Sequence, residues 1–328
     1  ILAQAILAQA CEFESCLPRL CQALRIMGAG HPQSVSKLPG QSIGCFGGTE
    51  RPQSAIVWLH GLGDTEKEWG KVIAGQVLPH LEAVAGPCKL VTPLAPVAPV
   101  TCNKGKCMTR WFDMAELPLG AGHTLPQFGC SLADAVGSAK RIHGIIDRLC
   151  LQGIPADKIA VGGFSQGGAL ALLSALQYPQ RLAGCIALSA LLLGGDQLRD
   201  LISPVNQGLD VLWCHGEHDR TILPSMQRVG CQALESVGVP VRTRRYSAGH
   251  RAHPAAIAET ASFLAERFTV AQPPGSSCKD DLVAELTEAS TVWLEGEAPA
   301  SKDFPLEIRE VYCEGPGGDM IIRLKAEL

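Results

Sequence analysis

Apolar residues are distributed along the chain in two alternating patterns. Some form short continuous runs rich in β-branched residues, of which Ala55–His60 is typical, and such runs indicate strands buried on both faces of a parallel sheet. Others recur every three or four positions, as in Ser131–Leu149, and this spacing indicates amphipathic helices. We predict strands at Ala55–His60, Lys89–Pro93, Lys158–Gly162, Leu182–Leu188, Leu209–Cys214 and Val239–Tyr246. We predict helices at Ser131–Leu149, Pro224–Val237 and Pro254–Phe268, and a further helix that ends at Tyr178.

Strands that alternate with helices predict an α/β fold with a mostly parallel, doubly wound sheet flanked by helices. Ligands of such a sheet bind beyond the carboxyl ends of the strands. The chain has 328 residues, of which 46% are hydrophobic and 18% charged, so most of it can form a globular core. No apolar run is long enough to cross a membrane, and we expect at most peripheral membrane contact.

Composition divides the chain into four segments. Residues 1–40 are predicted to be a poorly ordered extension, in which Met27 is a candidate start of the protein. Residues 41–268 carry all the alternating strands and helices and are predicted to form one domain. Residues 269–277 include Pro-Pro-Gly-Ser-Ser and are predicted to be a linker. Residues 278–328 are predicted to be an extension that is too small to hold a core alone.

Charge is distributed unevenly over these segments. The whole chain has a net charge of −4, whereas residues 278–328 contain twelve acidic and five basic residues. The rest of the chain is close to neutral, so nothing favours a nucleic acid as a partner. Within the acidic extension we predict a short helix at Asp280–Ala289 and a hairpin of Leu306–Tyr312 with Met320–Leu324.

Cysteines are numerous, with 14 in the chain, but they are scattered. Cys185, Cys214 and Cys231 lie inside predicted strands or a predicted helix, which suits small buried apolar side chains in a reducing compartment. We therefore expect a cytoplasmic protein. Cys102 and Cys107 bracket a short basic loop, but a metal site there would need two further ligands at close spacing. We expect neither a metal nor an organic cofactor.

The strongest chemical signal lies at 163–167, which reads Gly-Phe-Ser-Gln-Gly between a predicted strand and a predicted helix. This is the G-x-S-x-G nucleophile-elbow pattern, in which a sharp turn lifts a serine hydroxyl clear of the sheet. Glycines flank the serine because larger residues would clash where the strand and the helix cross. The unpaired N–H groups of the first helical turn can then stabilise an oxyanion. Ser165 is therefore the candidate nucleophile.

A serine nucleophile needs a base and a carboxylate that orients the base, and on elbow-type folds they follow the serine as acid, then histidine. Asp219 and His250 occur in that order, each in a loop directly beyond a predicted strand. Glu217 is the alternative acid and His253 the alternative base. We favour Asp219 because it lies further into its loop, and His250 because it follows a glycine at the end of its strand. Two further histidines that suit solvated or core positions are His215 and His218.

The tetrahedral intermediate of acyl transfer needs two convergent backbone N–H donors. One is expected from Gln166, the residue after the nucleophile. The other is expected from the glycine-rich loop after the first predicted strand, where Leu62 is the best candidate. The side chain of Leu62 matters little, because the backbone is the donor.

The motifs, taken in order, resemble those of the acyl-protein thioesterases, a lysophospholipase-like group of carboxylesterases within the α/β-hydrolases. The motifs that carry the resemblance lie at 57–64, 93–99, 111–113, 163–169, 215–219 and 249–250. The resemblance covers about residues 40–268. It implies one α/β-hydrolase domain without a large cap domain. It implies a triad and oxyanion donors formed by Ser165, Asp219, His250, Leu62 and Gln166.

The same resemblance implies that Trp111 and Phe112 lie beside an acyl pocket. The expected substrates are S-acylated proteins, with lysophospholipids and other oxygen esters as the runner-up. The sequence departs from the family in the basic loop at 102–107 and in the residues at 251–253, which leaves substrate preference open. The oligomeric state is also left open. A function of another class would be a catalytically inactive binding protein that acts through its acidic extension.

Overall fold

The computed structural model describes residues 43–46, 51–120, 131–269, 306–314 and 319–326. The chain forms two compact units, residues 1–275 and residues 276–328. The expectations for residues 1–40 and for a helix at 280–289 lie outside the described residues. The four-segment division stays a prediction.

The described part of the first unit contains nine strands. They are β1 (Ile43–Phe46), β2 (Ser54–Leu59), β3 (Cys88–Pro93), β4 (Val97–Val100), β5 (Lys106–Thr109), β6 (Ile159–Phe164), β7 (Gly184–Leu188), β8 (Val211–Gly216) and β9 (Val241–Tyr246). Seven of them form one sheet in the order β1-β3-β2-β6-β7-β8-β9. Strand β1 pairs antiparallel with β3, and all other neighbours pair parallel. The predicted mostly parallel, doubly wound sheet is confirmed.

Helices cover both faces of this sheet. They are α1 (Glu66–Gln76), α2 (Leu78–Ala85), α3 (Leu132–Leu151), α4 (Gln166–Gln177), α5 (Leu198–Leu201), α6 (Pro224–Ser236) and α7 (Pro254–Thr269). Residues of α1, α2 and α7 belong to the apolar cluster on one face, and residues of α3, α4 and α6 belong to the cluster on the other. Within the described ranges, no connection inserts a large cap domain, and no helix is long and apolar enough to span a membrane.

Strand β2 explains why the predicted strands are continuous apolar runs. Ala55, Val57 and Leu59 pack into one apolar cluster, whereas Ile56 and Trp58 pack into the other. All five residues are fully buried. A strand between two helical layers has no polar face, and removing each large side chain from water contributes about 1.5–3 kcal/mol.

The sequence patterns miss strand β1, the β4–β5 hairpin and the helices α1, α2 and α5. The prolines of residues 94–100 correctly exclude a helix, but they also obscure the four antiparallel pairs that β4 makes with β5. Pro99 is tolerated because a strand of a two-stranded hairpin has one edge that needs no partner. The hairpin is fixed beside the loop after β2, where Gly63 N donates to Thr109 O at 2.8 Å.

The second unit contains the hairpin that its apolar pattern predicts. Strand β10 (Leu306–Glu314) pairs antiparallel with β11 (Asp319–Ala326). Both strands are longer than predicted, and the register shifts between Glu307 and Glu310. The predicted hairpin is confirmed, with a bulge or irregularity at that shift.

Strand β6 and helix α4 cross closely at the serine turn. A Cβ on Gly163 would lie 2.5 Å from the backbone of Gly167, and a Cβ on Gly167 would overlap the carbonyl oxygens of Leu59 and His60. These are backbone atoms, so no side-chain rotation relieves the overlap. The turn therefore requires glycine on both sides of the serine, as predicted from the motif.

We expect Gly167→Ala to lower the free energy of unfolding by about 1–3 kcal/mol or more, because the new methyl group would have to push β2 away from α4. Gly144→Ala is the matched control, since a Cβ there meets nothing within 4 Å in the interior of α3. That variant should gain up to about 1 kcal/mol from helix propensity. Urea unfolding measures both values, and a Gly167→Ala protein as stable as the wild type would contradict the packing described here.

Candidate active site

Ser165 is the single residue between β6 and α4, and its backbone conformation is strained. Its φ is 54° and its ψ is −120°, values that non-glycine residues rarely adopt. Its N–H donates to Leu188 O at 2.8 Å, which ties the turn to the neighbouring strand β7. Its hydroxyl makes no capping bond to α4. The turn thus presents the hydroxyl at the carboxyl end of the sheet.

His250 bridges Ser165 and Asp219. Its Nε2 lies 2.9 Å from Ser165 Oγ, and its Nδ1 lies 2.7 Å from Asp219 Oδ2. An ionised carboxylate only accepts hydrogen bonds, so Nδ1 carries the proton and Nε2 directs its lone pair at the serine hydroxyl. In this tautomer the histidine can take a proton from serine. The fold thereby joins groups that lie up to 85 positions apart in the sequence.

The carboxylate of Asp219 is buried, with its side chain inaccessible to solvent. Burial by itself would raise its pKa, but the hydrogen bond and charge of His250 and the bonds from the loop backbone hold the pKa below its usual value. The second oxygen, Oδ1, accepts from Thr221 N at 2.9 Å and from Ile222 N at 3.0 Å. Asp219 is therefore an ionised and rigidly held partner for His250.

The alternative acid and base do not take part in these contacts. Glu217 is exposed, and its N–H donates to Tyr246 O at 2.8 Å. His253 stacks on Tyr246, and its Nδ1 accepts from Ala255 N at the start of α7. His218 is exposed, with Nε2 3.4 Å from Ser247 Oγ.

His215, at the end of β8, is a second histidine beside the buried carboxylate. Its Nε2 lies 2.8 Å from Ile222 O and 3.5 Å from Asp219 Oδ2. Both partners are acceptors, so Nε2 carries the proton. Burial lowers the pKa of His215, although the bond to Ile222 and the charge of Asp219 act in the opposite direction. His215 is thus a neutral donor that helps to enclose Asp219, a position that the loop sequence does not reveal.

The loop after β2 lies against the serine turn. A Cβ on Gly61 would be 3.2 Å from the ring of Phe164, the residue before the serine. Across the described ranges, the N–H of Leu62 has no hydrogen-bond acceptor, whereas the next N–H, of Gly63, is bonded to Thr109. Gln166 is the first residue of α4, where N–H groups have no partner inside the helix. Both predicted donor groups are thus available to an oxyanion.

The side chain of Gln166 has a role that the sequence does not predict. Its Oε1 accepts from Trp111 N at 2.8 Å, and its Nε2 donates to Phe112 O at 2.9 Å. The indole N–H of Trp111 in turn donates to His60 O at 2.8 Å. Trp111 and Phe112 are both buried, and these bonds hold them beside the serine turn. Their contact with an acyl chain stays a prediction.

The ring of His250 also rests on an aromatic stack. Phe164 lies 4.9 Å from His250 between ring centroids, and Trp69 stacks on Phe164 at 5.1 Å. Trp69 is itself fixed by its indole N–H, which donates to Asp64 Oδ2 at 3.1 Å. In the sequence, Phe164 of the serine motif is the one indication of this stack. Trp69 lies in helix α1, which the sequence patterns do not predict.

Seven cysteines of the first unit are free thiols, namely Cys88, Cys102, Cys107, Cys150, Cys185, Cys214 and Cys231. Cys185, Cys214 and Cys231 are buried as predicted, and burial raises the pKa of the Cys214 and Cys231 thiols to about 12. Cys107 is exposed and Cys102 half-buried, and within the described residues no cluster of three potential ligands could hold a metal.

Two buried histidines are expected to make stability depend on pH. Burial lowers the pKa of His60 and of His215, so below about pH 6.5 the unfolded chain binds protons that the folded chain does not. We expect stability to fall as the pH falls from about 6.5, by up to about 1.4 kcal/mol per pH unit for each histidine. His215→Gln should reduce the change in the free energy of unfolding per pH unit, measured by urea unfolding between pH 7.5 and 5.5. The exposed His80 offers the control His80→Gln, and equal slopes in all three proteins would refute the effect.

Known proteins are similar to this chain in fold and in part of its sequence. Residues 46–267 match the model of the phospholipase/carboxylesterase family. A rice (Oryza sativa subsp. japonica) protein named as a probable carboxylesterase is 36% identical over 196 residues, which cover 60% of this chain and 70% of that protein. The crystal structure of Arabidopsis thaliana SOBER1 has a TM-score of 0.60 and 28% identity, and covers 66% of this chain and 99% of its own.

The crystal structure of Zea mays acyl-protein thioesterase 2 has a TM-score of 0.57 and 27% identity, and covers 69% of this chain and 99% of its own. The family match includes more than half of the chain and contains the serine turn, the acid loop and the histidine loop. The chain therefore belongs to the phospholipase/carboxylesterase family of hydrolases and has the α/β-hydrolase fold.

Proposed function

We propose that the protein is a serine hydrolase that cleaves acyl thioesters, and that its main substrates are S-acylated proteins. The observation that carries this proposal is a pair of hydrogen bonds at the carboxyl end of the sheet. One joins Ser165 Oγ to His250 Nε2, and the other joins His250 Nδ1 to Asp219 Oδ2. A strained serine and a histidine on a buried carboxylate form the machinery of acyl transfer. The similarity to maize acyl-protein thioesterase 2 supports a thioester as the bond that is cleaved.

Acylation begins when His250 Nε2 takes the proton of Ser165 Oγ. The oxygen attacks the carbonyl carbon of the thioester, and the carbonyl oxygen becomes an oxyanion. The N–H groups of Leu62 and Gln166 donate to that oxyanion, and Asp219 stabilises the imidazolium. The tetrahedral intermediate is thereby held between two backbone donors and the base.

The intermediate then collapses. The carbon–sulfur bond breaks, the proton on His250 Nε2 passes to the departing sulfur, and the acyl group remains on Ser165. Water, deprotonated by His250, attacks the acyl-enzyme through a second oxyanion and releases the carboxylic acid. Ser165 recovers its proton from His250. These steps use one water molecule together with side chains and backbone amides of this chain.

Cleavage of oxygen esters is the second candidate function. It is favoured by the carboxylesterase relatives, and the same attack by Ser165 applies to an oxygen ester.

The free thiols in the described ranges support a reducing compartment, and we propose a cytoplasmic location.

Ser165→Ala is expected to lower kcat/KM for p-nitrophenyl esters about 10⁴- to 10⁶-fold, because it removes the attacking oxygen. It should also abolish labelling by a fluorophosphonate probe. Ser174→Ala, which alters a fully buried serine further along α4, is the matched control and should retain both activities. A wild-type protein that is not labelled, or labelling that survives Ser165→Ala, would support an inactive binding protein instead.

A second comparison decides between sulfur and oxygen as the leaving atom. We expect a palmitoylated cysteine peptide to be hydrolysed with a higher kcat/KM than lysophosphatidylcholine. Both rates are measured against the Ser165→Ala protein, which corrects for spontaneous thioester hydrolysis. Equal or faster turnover of the lysophospholipid would overturn the thioester preference and leave the serine mechanism in place.

A further inference from the structure

The imidazole of His60 is buried just beyond the end of β2, and both of its nitrogens are hydrogen-bonded. Its Nε2 lies 3.0 Å from the backbone nitrogen of Ala95, and its Nδ1 lies 2.7 Å from the carbonyl oxygen of Gly61. A backbone N–H can only donate and a carbonyl oxygen can only accept. Nε2 is therefore the acceptor, Nδ1 carries the proton, and the two partners permit this neutral tautomer alone.

The surroundings keep the ring neutral. Burial lowers the pKa of His60, although the bond to Gly61 and the charges of Asp64 and Glu66 act in the opposite direction. A second proton, on Nε2, would also point at the N–H of Ala95, so two donors would face each other and the hydrogen bond would be lost. His60 is thus a neutral donor to Gly61 O.

The carbonyl of Gly61 belongs to the peptide unit that contains the N–H of Leu62. This peptide is trans, so its C=O and N–H point in opposite directions. Gly61 O is held from two sides, by His60 Nδ1 and by Asp64 N at 3.2 Å. The direction of the Leu62 N–H follows from the direction in which this carbonyl is held.

We propose that His60 is a positioning residue of the oxyanion hole, which holds the Gly61–Leu62 peptide so that the Leu62 N–H faces the oxyanion. The inference rests on the proposed function, because it takes Leu62 as an oxyanion donor. His60 O accepts from the indole of Trp111, and Trp111 N donates to Gln166 Oε1. These bonds connect His60, which holds the Gly61–Leu62 peptide, with the side chain of Gln166, the other proposed donor residue.

Asparagine and glutamine separate the two bonds that His60 makes. In His60→Asn, the amide N–H can occupy the position of Nδ1 and keep a donor for Gly61 O. In His60→Gln, the longer amide can reach the position of Nε2 and accept from Ala95 N, but it leaves Gly61 O without its side-chain donor. Both variants lose the ring, and asparagine leaves the larger cavity, so a role limited to packing would not make His60→Gln the more damaging change.

With p-nitrophenyl acetate as substrate, we expect His60→Gln to lower kcat about 10- to 100-fold with little change in KM, because a misdirected donor weakens the transition state more than the bound substrate. His60→Asn should keep kcat within about fivefold of the wild type, since it retains that donor. A trifluoromethyl ketone inhibitor forms an oxyanion on the serine. Its affinity should fall in His60→Gln by the same factor as kcat/KM.

His143→Gln is the matched control. His143 Nε2 is bonded to Ser174 O at 2.8 Å, and its ring packs edge-on against Tyr178 between α3 and α4. This variant should have a lower melting temperature and an unchanged kcat.

Nitrogen-15 NMR of the wild-type protein should show the Nδ1–H tautomer of His60.

Equal losses of kcat in the two His60 variants, or an Nε2–H tautomer in the wild type, would overturn this inference and leave the proposed function intact. A wild-type protein that neither hydrolyses the ester nor reacts with fluorophosphonate would overturn the proposed function and this inference with it. If His60→Gln does not fold, His60→Asn decides the question: it must bind the ketone as tightly as the wild type, and a loss of about tenfold or more would refute the role of the Nδ1 donor.

Discussion

Helix α4 approaches the end of strand β2 so closely that Gly167 lies against the carbonyl oxygens of Leu59 and His60. This contact brings the serine turn and the loop after β2 together, because one belongs to the helix and the other continues the strand. The strained backbone of Ser165 persists because the surrounding sheet and helix determine it from both sides. A single added methyl group at the crossing would separate the nucleophile from the loop that is proposed to stabilise its oxyanion.

Around this contact the site is organised by one buried negative charge. An unpaired carboxylate in the protein interior is very unfavourable, so Asp219 depends on the donors that surround it. They are the ring of His250, the amides of Thr221 and Ile222, and the more distant Nε2–H of His215. The same bonds that offset the cost of burial also fix the orientation of His250. Stability and the geometry required for proton transfer therefore have a common source.

The remaining hydrogen bonds connect the serine turn with the loop after β2 through the residues Gln166 and Trp111. Gln166 holds the segment of Trp111 and Phe112, and Trp111 reaches back to the carbonyl of His60. The proposed oxyanion donors, fixed in this way, would need no reorganisation as charge develops, which is the condition for strong electrostatic stabilisation. The basic loop at 102–107 and Arg251 next to the histidine are in part exposed, so these departures from the family pattern lie at the surface, while the proposed catalytic groups are buried or half-buried.

The order of the motifs along the chain was sufficient to predict the α/β fold, the parallel sheet and the three residues that meet at its carboxyl end. Continuous apolar runs identify buried strands, and glycines around Ser165 identify a crossing that tolerates no side chain, since both are local properties. Helix α1 and the β4–β5 hairpin were missed because tertiary packing stabilises them against weak or proline-rich local signals. The tautomers of His60 and His215 and the side-chain bonds of Gln166 were decided by tertiary structure alone. A hydrogen bond depends on distance and direction in space, and the partner of Gln166 lies 55 positions away in sequence.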